Sequence, residues 1–247
     1  MTTAPRADEP RRLKEMLPGE IAAALERDPR LIVPVGTLEQ HGPHLPLGCD
    51  TIITERIAED LSATFGVLLA PTVEYGVNMP EDHGAGGSSG VRRKTLHRLL
   101  NDLLDAWEAS GVEEFVILSA HGNDPHQEAL ATVITTRARV RVVDLLAIPI
   151  SDLLAEQEEP MHGGEADTSL MLYLAPHLVR PELARDFRLP PQQLQRYRRG
   201  WLRVPSGSAG SIGRPSLASA EKGERIYHRL RDRVAARIFI TPPSTDD

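Results

Sequence analysis

The sequence is poor in aromatic residues and has no concentrated basic segment. Phe, Trp and Tyr make up 4% of its 247 residues, which argues against a surface that stacks nucleic-acid bases. The formal net charge is −7, and the arginine-rich segments 196–203 and 225–237 are interrupted by acidic residues or by helical spacing. We therefore expect no nucleic-acid partner.

Cysteine and long apolar runs are equally scarce. The single cysteine, Cys49, excludes an internal disulfide, so nothing requires an oxidising compartment. We expect Cys49 to be a small buried residue rather than a nucleophile. No apolar run reaches membrane-spanning length, and the polar N-terminus lacks the apolar core of a signal peptide. These absences favour a cytoplasmic protein without a membrane partner.

Apolar strands alternate with helical patterns along the chain. The predicted strands are 31–35, 67–73, 115–118 and 140–148, and the predicted helices are 18–27, 51–65, 95–110, 125–138, 170–174, 190–199 and 219–240. This order is typical of an α/β fold in which a mostly parallel sheet lies between layers of helices. We expect one domain over residues 11–240, with a disordered tail at 1–10 and a loose tail at 241–247. The Ser/Gly-rich segment 206–216 is predicted to be a linker or a mobile loop.

The strongest functional signal is the segment 39–50, EQHGPHLPLGCD, directly behind the first predicted strand. Glu39, His41 and Asp50 offer carboxylate and imidazole ligands that suit zinc, manganese or iron. Pro43 and Pro46 restrict the loop, so it loses less conformational entropy on ordering. The alternative is a polar surface loop with chance histidines, but the density of ligand residues favours a metal site.

Two further clusters carry chemistry. Residues 119–124, SAHGND, follow the third predicted strand, and residues 161–169, MHGGEADTS, lead into a helix. Because ligands collect where parallel strands end, we expect His121 to lie beside the 39–50 loop. We expect His44 to support the site rather than bind a metal, and His126 to cap a helix or face solvent.

These segments resemble the creatininase family of metal-dependent amidohydrolases. Residues 34–50, PVGTLEQHGPHLPLGCD, match throughout the motif Pro-x-Gly-[Ser/Thr]-x-Glu-x-His-Gly-x-His-Leu-Pro-x-x-x-Asp. Residues 121–123 resemble the family's His-Gly-Gly-Asn, and residues 162–169 resemble its His-Ala-Gly-Glu-x-Glu-Thr-Ser. The resemblance covers nearly the whole domain and implies a creatininase-like fold.

The resemblance implies a site for two divalent metal ions, zinc, manganese or iron. Glu39 and His121 would bind one ion, His41 would bind the other, and Asp50 would bridge both. A water shared by the two ions loses a proton near neutral pH, and the resulting hydroxide can attack an amide carbonyl. The implied activity is hydrolysis of a C–N amide bond.

The remaining roles follow from the same resemblance. Asn123 stands where creatininase itself has a glutamate two residues after its histidine ligand. We expect Glu165 to complete the shell of the second ion, with Asn123 as the alternative. His162 would carry a proton to the leaving nitrogen, since the unperturbed pKa of histidine lies near working pH. Asp167, where the family has Glu, would orient that imidazole or hold a supporting hydrogen bond.

The expected substrate is a small-molecule amide, cyclic or linear, and three hypotheses remain open. The protein is an amidohydrolase of such a molecule, a peptidase that matures a modified peptide as the family's mycofactocin-maturing members do, or a non-catalytic descendant that still binds metal. The resemblance also implies a homo-oligomer, with hexamers frequent in the family.

Overall fold

The computed structural model describes residues 9–79, 85–155, 161–190, 192–193 and 207–240. Within these ranges, five parallel strands form a single sheet in the order β1-β3-β2-β4-β5. The strands are β1 Arg11–Arg12, β2 Arg30–Pro34, β3 Leu68–Leu69, β4 Glu114–Ser119 and β5 Arg139–Asp144. The longer helices are α1 Pro18–Arg27, α2 Cys49–Phe65, α3 Arg93–Ala109, α4 Asp124–Ala131, α5 Glu165–Leu174 and α6 Ala220–Val234.

The central strands β2 and β4 are buried on both faces. Leu31 and Val33 pack into one apolar cluster, with side chains from α1, α3 and α4, whereas Ile32 packs into a second cluster, with side chains from α2, α5 and α6. Strands covered on both faces are apolar throughout rather than alternating. The predicted α/β architecture, a parallel sheet between helical layers, is therefore confirmed.

Helix α3 buries most, but not all, of the leucines that its apolar periodicity predicts to be buried. Its Leu-rich stripe predicts several buried positions, and the structure buries Leu96, Leu100 and Leu104 completely. Leu99, on the same predicted stripe, is 41% exposed. Residues four apart share a helix face, whereas Leu99 lies at its margin.

Several predicted boundaries are wrong. The strand predicted over 67–73 is regular only at Leu68–Leu69, and beyond it an isolated bridge at Val73 and a few backbone hydrogen bonds continue the contact with the β2 segment. The helix predicted over 125–138 ends at Ala131, and the backbone N–H groups of residues 136–138 donate hydrogen bonds to the carboxylate of Glu108 instead. The strand predicted over 140–148 ends at Asp144, whose side chain caps a short 3-10 helix, Leu145–Ala147.

The segment 206–216 was expected to be mobile, and its described part is packed. Ser211 and Ile212 are 0% and 1% exposed, and Ile212 N donates a hydrogen bond to the carbonyl of His162. Gly213 pairs with Phe187 in an isolated bridge. The glycines here allow close packing: a Cβ on Gly210 would lie 2.0 Å from the side chain of Gln40.

The C-terminal helix is close to its prediction. Ser219 caps α6 by accepting a hydrogen bond from Lys222 N, and a π-helical turn, Ala235–Ile240, follows. Residues 1–8 and 241–247 of the predicted tails, and nearly all of the helix predicted over 190–199, lie outside the described residues. No helix in the described ranges is both long and apolar enough to span a membrane.

Two leucines of α3 test this packing. We expect Leu104→Ala to lower the free energy of unfolding by about 2–5 kcal/mol, because a fully buried side chain leaves a cavity. The same change at Leu99 should cost only about 0.5 kcal/mol. Urea denaturation followed by circular dichroism measures both, and equal losses would contradict the described face of α3.

Candidate metal centre

The chain delivers three candidate ligands to one edge of the sheet. Glu39 and His41 lie on the loop after β2, and His121 follows β4. Because β2 and β4 are parallel neighbours, their carboxyl ends lie at the same edge. Asp50 lies in the first turn of α2 and faces the same point, as the sequence predicts.

Close packing folds the β2–α2 loop back onto the start of α2. A Cβ on Gly36 would lie 2.6 Å from the Cα of Thr51, so only glycine allows this approach. The hydroxyl of Thr51 donates a hydrogen bond to the carbonyl of Thr37 at 2.9 Å. These contacts bring the beginning of α2, and therefore Asp50, beside Glu39 and His41.

The two oxygens of Asp50 face different imidazoles. Oδ1 lies 3.1 Å from Nε2 of His41, and Oδ2 lies 2.9 Å from Nδ1 of His121. Glu39 Oε2 lies 3.3 Å from the same Nδ1. All four residues are at most 4% exposed. This is the arrangement expected of a carboxylate that bridges two cations, one beside each imidazole.

Backbone carbonyls orient both imidazoles. His41 Nδ1 donates to the carbonyl of Glu39 at 3.0 Å, and His121 Nε2 donates to the carbonyl of Val77 at 2.9 Å. In each ring the other nitrogen therefore presents its lone pair to Asp50 when the ring is neutral. Such outer hydrogen bonds commonly fix metal-binding histidines.

These residues fit divalent cations. Ligand atoms of Glu39, Asp50 and His121 lie within 4.8 Å of one another, and Asp50 Oδ2 is buried without a well-formed hydrogen bond. On the other side of Asp50, His41 and Asp50 form a similar group with Cys49. His162 also groups with Glu39 and His41. The ligands of the ion beside His121 are therefore better defined than the ligands of the ion beside His41.

Without a cation, the buried groups compensate one another by proton uptake. Burial opposes the charged form of His41, but the neighbouring Asp50 carboxylate outweighs it and raises the pKa of His41 to about 10. Burial likewise opposes the charged form of His121. The carboxylates of Glu39 and Asp50 outweigh this effect and raise the pKa of His121 to about 9. Burial disfavours ionised Asp50, but His41 and His121 lower the pKa of Asp50 well below its usual range.

His162 lies above this cluster, next to α5. Its Nε2 donates to the carbonyl of Gln40 at 2.7 Å, its ring centroid lies 4.2 Å from that of His41, and its Nδ1 lies 3.7 Å from Glu39 Oε2. Burial and the nearby His41 charge lower the pKa of His162 to about 3.

Asp167 braces the turn that carries His162. Its Oδ2 accepts a hydrogen bond from the backbone N–H of Gly163 at 2.8 Å, so it acts on the imidazole through the main chain. Burial raises the pKa of Asp167 to about 6. The predicted supporting hydrogen bond is present, although it reaches the backbone beside His162.

The structure does not bring Glu165 to the metal cluster, and this prediction is corrected. Glu165 is 0% exposed, and its Oε1 accepts hydrogen bonds from Ala155 N and from the ammonium of Lys222 on α6. Glu165 begins α5, and Asp167 is two residues further along. Residues at this spacing point to different faces of a helix, so only one of the two carboxylates can face the cavity.

His126 is a residue whose environment the sequence interpretation missed. It is 0% exposed: its Nδ1 accepts from Val77 N at 3.2 Å, and its Nε2 lies 3.0 Å from the hydroxyl of Ser119. Its ring meets that of His121 edge-on, with centroids 4.8 Å apart. Burial lowers its pKa well below the usual value. Its position in the first turn of α4 predicts a cap, but the tertiary contacts place it under the site.

His44 supports the site, as expected. It is 1% exposed, and its Nε2 lies 2.9 Å from the hydroxyl of Thr168 on α5. Burial lowers its pKa to about 4. The imidazole therefore connects the 39–50 loop to α5 as a neutral group.

A cavity of about 430 Å³ opens over the cluster. Its floor carries the candidate ligands and His162, and its walls combine carboxylates with apolar side chains. Those walls include Met79, Asn123, Asp124, Asp144, Leu146, Ile148, Ile150, Met161 and Ile212. A space of this size accommodates a small molecule or the end of a peptide.

Fold and site together define an α/β protein with a buried carboxylate–imidazole centre at the carboxyl edge of its sheet. The family model for creatininase, described as creatinine amidohydrolase, matches residues 14–238. The chain therefore belongs to the creatininase family.

Curated relatives of the chain carry different activities in their names. A mycofactocin precursor peptide peptidase from Mycolicibacterium smegmatis is 31% identical over 218 residues, 85% of this chain and 84% of the relative. A creatinine amidohydrolase from Pseudomonas putida is 26% identical over 239 residues, 87% of this chain and 90% of the relative. A 3-dehydro-scyllo-inosose hydrolase from Thermotoga maritima is 25% identical, with 86% and 78% covered.

Solved structures share the fold. A crystal structure of creatinine amidohydrolase has a TM-score of 0.74 at 22% identity, covering 91% of this chain and 96% of that chain. A manganese form of creatininase has a TM-score of 0.74 at 22% identity, covering 92% and 98%. A zinc–zinc form of a creatininase variant has a TM-score of 0.73 at 22% identity, covering 91% and 97%.

Proton release tests the electrostatics of the cluster. With pKa values of about 10 and 9, His41 and His121 are protonated at pH 7 in the metal-free protein. A cation requires both in neutral form, so full loading should release about two protons, and metal affinity should rise with pH. Calorimetry of zinc binding in buffers of different ionisation enthalpy measures this release. His228→Gln, an exposed control, should change nothing, whereas loading without proton release would contradict the assigned charges.

The Glu165 correction has its own test. Glu165→Gln leaves Lys222 without its carboxylate, so we expect the free energy of unfolding to fall by about 3–5 kcal/mol. Metal content should equal that of the wild type, because Glu165 faces α6. Elemental analysis and chemical denaturation measure the two quantities. A variant of native stability that loses bound metal would restore Glu165 as a ligand.

Proposed function

We propose that the protein is a divalent-metal-dependent amidohydrolase that cleaves a C–N amide bond of a small cyclic or linear amide. The observation that carries this proposal is the buried Asp50 carboxylate, with one oxygen on His41 and the other on His121. Family membership supports it, and so do the zinc and manganese named for solved relatives of the same fold.

We assign two divalent cations, zinc, manganese or iron, to the centre. Glu39 and His121 would hold one cation, His41 would hold the other, and Asp50 would contribute to both. Once bound, the cations supply an activated water and polarise the amide carbonyl. The second shell needs a further donor, and the groups within reach on that side are Cys49 and His162.

His162 is the proposed proton carrier. Because Nε2–H is committed to the carbonyl of Gln40, Nδ1 is the nitrogen that takes up a proton and passes it to the leaving nitrogen. Asp167 fixes the turn through Gly163 N and so keeps the imidazole aligned.

Peptide hydrolysis is a second candidate function. The peptidase relative is 31% identical to this chain, whereas the creatinine amidohydrolase is 26% identical. The two functions share the same centre and differ in what the cavity walls accept. Hydrolysis of short peptides, with creatinine and simple amides left intact, would favour the peptidase.

Loss of the bridging carboxylate is the sharpest test of the metal proposal. Protein from medium containing zinc, manganese and iron should carry metal, and Asp50→Ala should lose both the metal and hydrolysis of an amide and peptide panel. Asp102→Ala, an exposed change on α3, should retain both. Wild-type protein that contains no metal would refute the proposal. Bound metal without hydrolysis across the panel would favour a non-catalytic descendant.

We further propose that the protein acts in the cytoplasm as a homo-oligomer. Membership of the creatininase family, in which homo-oligomers are frequent, supports self-association. Light scattering after size-exclusion chromatography should give a multiple of 27.2 kDa. A mass of one chain would contradict the oligomer.

A further inference from the structure

Asn123 is a buried cavity residue to which the metal proposal gives no role. It lies two residues after His121 and precedes α4, is 5% exposed, and lines the cavity over the metal cluster. Its side chain is neutral, so it differs in charge from the carboxylates around it. Its position places it within the region where a substrate would meet the cluster.

The structure fixes how this amide is oriented against α4. Asn123 Oδ1 accepts a hydrogen bond from His126 N at 3.2 Å and so caps α4. If the amide were reversed, its N–H groups would face the N–H groups at the start of α4. Both carry partial positive charge, so this orientation is unfavourable. Oδ1 is therefore held by the helix, and Nδ2 occupies the opposite end of the side chain.

Nδ2 is a buried donor that lacks an acceptor within the described residues. Burying an N–H group without an acceptor is unfavourable, so native proteins rarely leave one unpaired. An N–H group also repels a cation, which excludes Nδ2 itself as a metal ligand. The carbonyl oxygen of a bound amide would supply such an acceptor.

We propose that Asn123 is a catalytic residue that donates a hydrogen bond from Nδ2–H to the carbonyl oxygen of the scissile amide. This inference rests on the proposed amidohydrolase function. As the oxygen of a water molecule bonds to the carbonyl carbon, one proton of that water passes to Nδ1 of His162, the π electron pair moves to the carbonyl oxygen, and Asn123 stabilises the charge that develops there. When that pair re-forms C=O, the C–N bond breaks, and the nitrogen leaves with the proton from His162.

The inference also explains why a carboxamide suits this position. A carboxylate would cap α4 equally well, but it has no N–H group to donate to the carbonyl oxygen. An alanine would leave both the helix and the oxyanion without a partner. Asparagine alone among these three satisfies the helix with its oxygen and the substrate with its nitrogen.

Methylphosphonate is a suitable probe, because its tetrahedral anionic group resembles the intermediate of amide hydrolysis. Calorimetry with zinc-loaded protein should show that Asn123→Asp and Asn123→Ala each weaken its binding at least tenfold. Both should retain the wild-type zinc content. Weaker binding in the alanine variant cannot come from a new negative charge. Weaker binding in the aspartate variant cannot come from loss of the cap on α4.

Asn101→Asp is the matched control. Asn101 also accepts a backbone hydrogen bond through Oδ1, from Ile134 N at 2.9 Å, but it lies on α3 and does not line the cavity. Its variant should bind methylphosphonate as the wild type does. Thermal melting identifies any variant that has lost its fold.

The outcomes separate the two proposals. Folded, zinc-loaded Asn123 variants that bind methylphosphonate like the wild type would overturn the inference, as would zinc-loaded wild type that does not bind it. Zinc affinity that falls in the alanine variant and rises in the aspartate variant would make Asn123 a metal ligand instead. Wild type without zinc would refute the proposed function, and the role of Asn123 with it.

Discussion

The Asp50 carboxylate, buried between two imidazoles, is the contact on which the architecture of the site depends. A lone carboxylate at this depth would be strongly destabilising. In the metal-free protein, protons on His41 and His121 offset its charge. Divalent cations would replace those protons in the same geometry. The site is thus prepared for positive charge before any ligand arrives.

The pairing of strands and the packing of loops bring the candidate ligands together around Asp50. Parallel pairing of β2 with β4 places the loop after β2 beside His121, and the tight approach at Gly36 returns the chain so that α2 begins with Asp50 facing both. The other side of the cavity is built from the turn before α5 and the 207–216 segment, which contribute His162 and Ile212. Residues distant in sequence therefore meet because strands of one sheet end together.

The core architecture and the first cluster could be predicted from local pattern, whereas contacts between distant segments could not. Helical periodicity predicted the first residues of α3 and α6 to within two positions. The ends of the predicted strands indicated where His121 would lie. Glu165 was misassigned because a motif gives residue types and not the direction of a side chain. The side chain of Glu165 points to the ammonium of Lys222 because of its position on the helix. His126 was misjudged because its partners at residues 77 and 119 come from other elements. The glycines near residue 210 indicated flexibility, but they permit close packing against Gln40.

The most direct test of the central claim is anomalous diffraction from crystals grown with zinc. The account predicts two zinc peaks on opposite sides of the Asp50 carboxylate, one next to Glu39 and His121 and the other next to His41. A fully occupied crystal with zinc only at surface histidines, or with peaks that do not share Asp50, would contradict it.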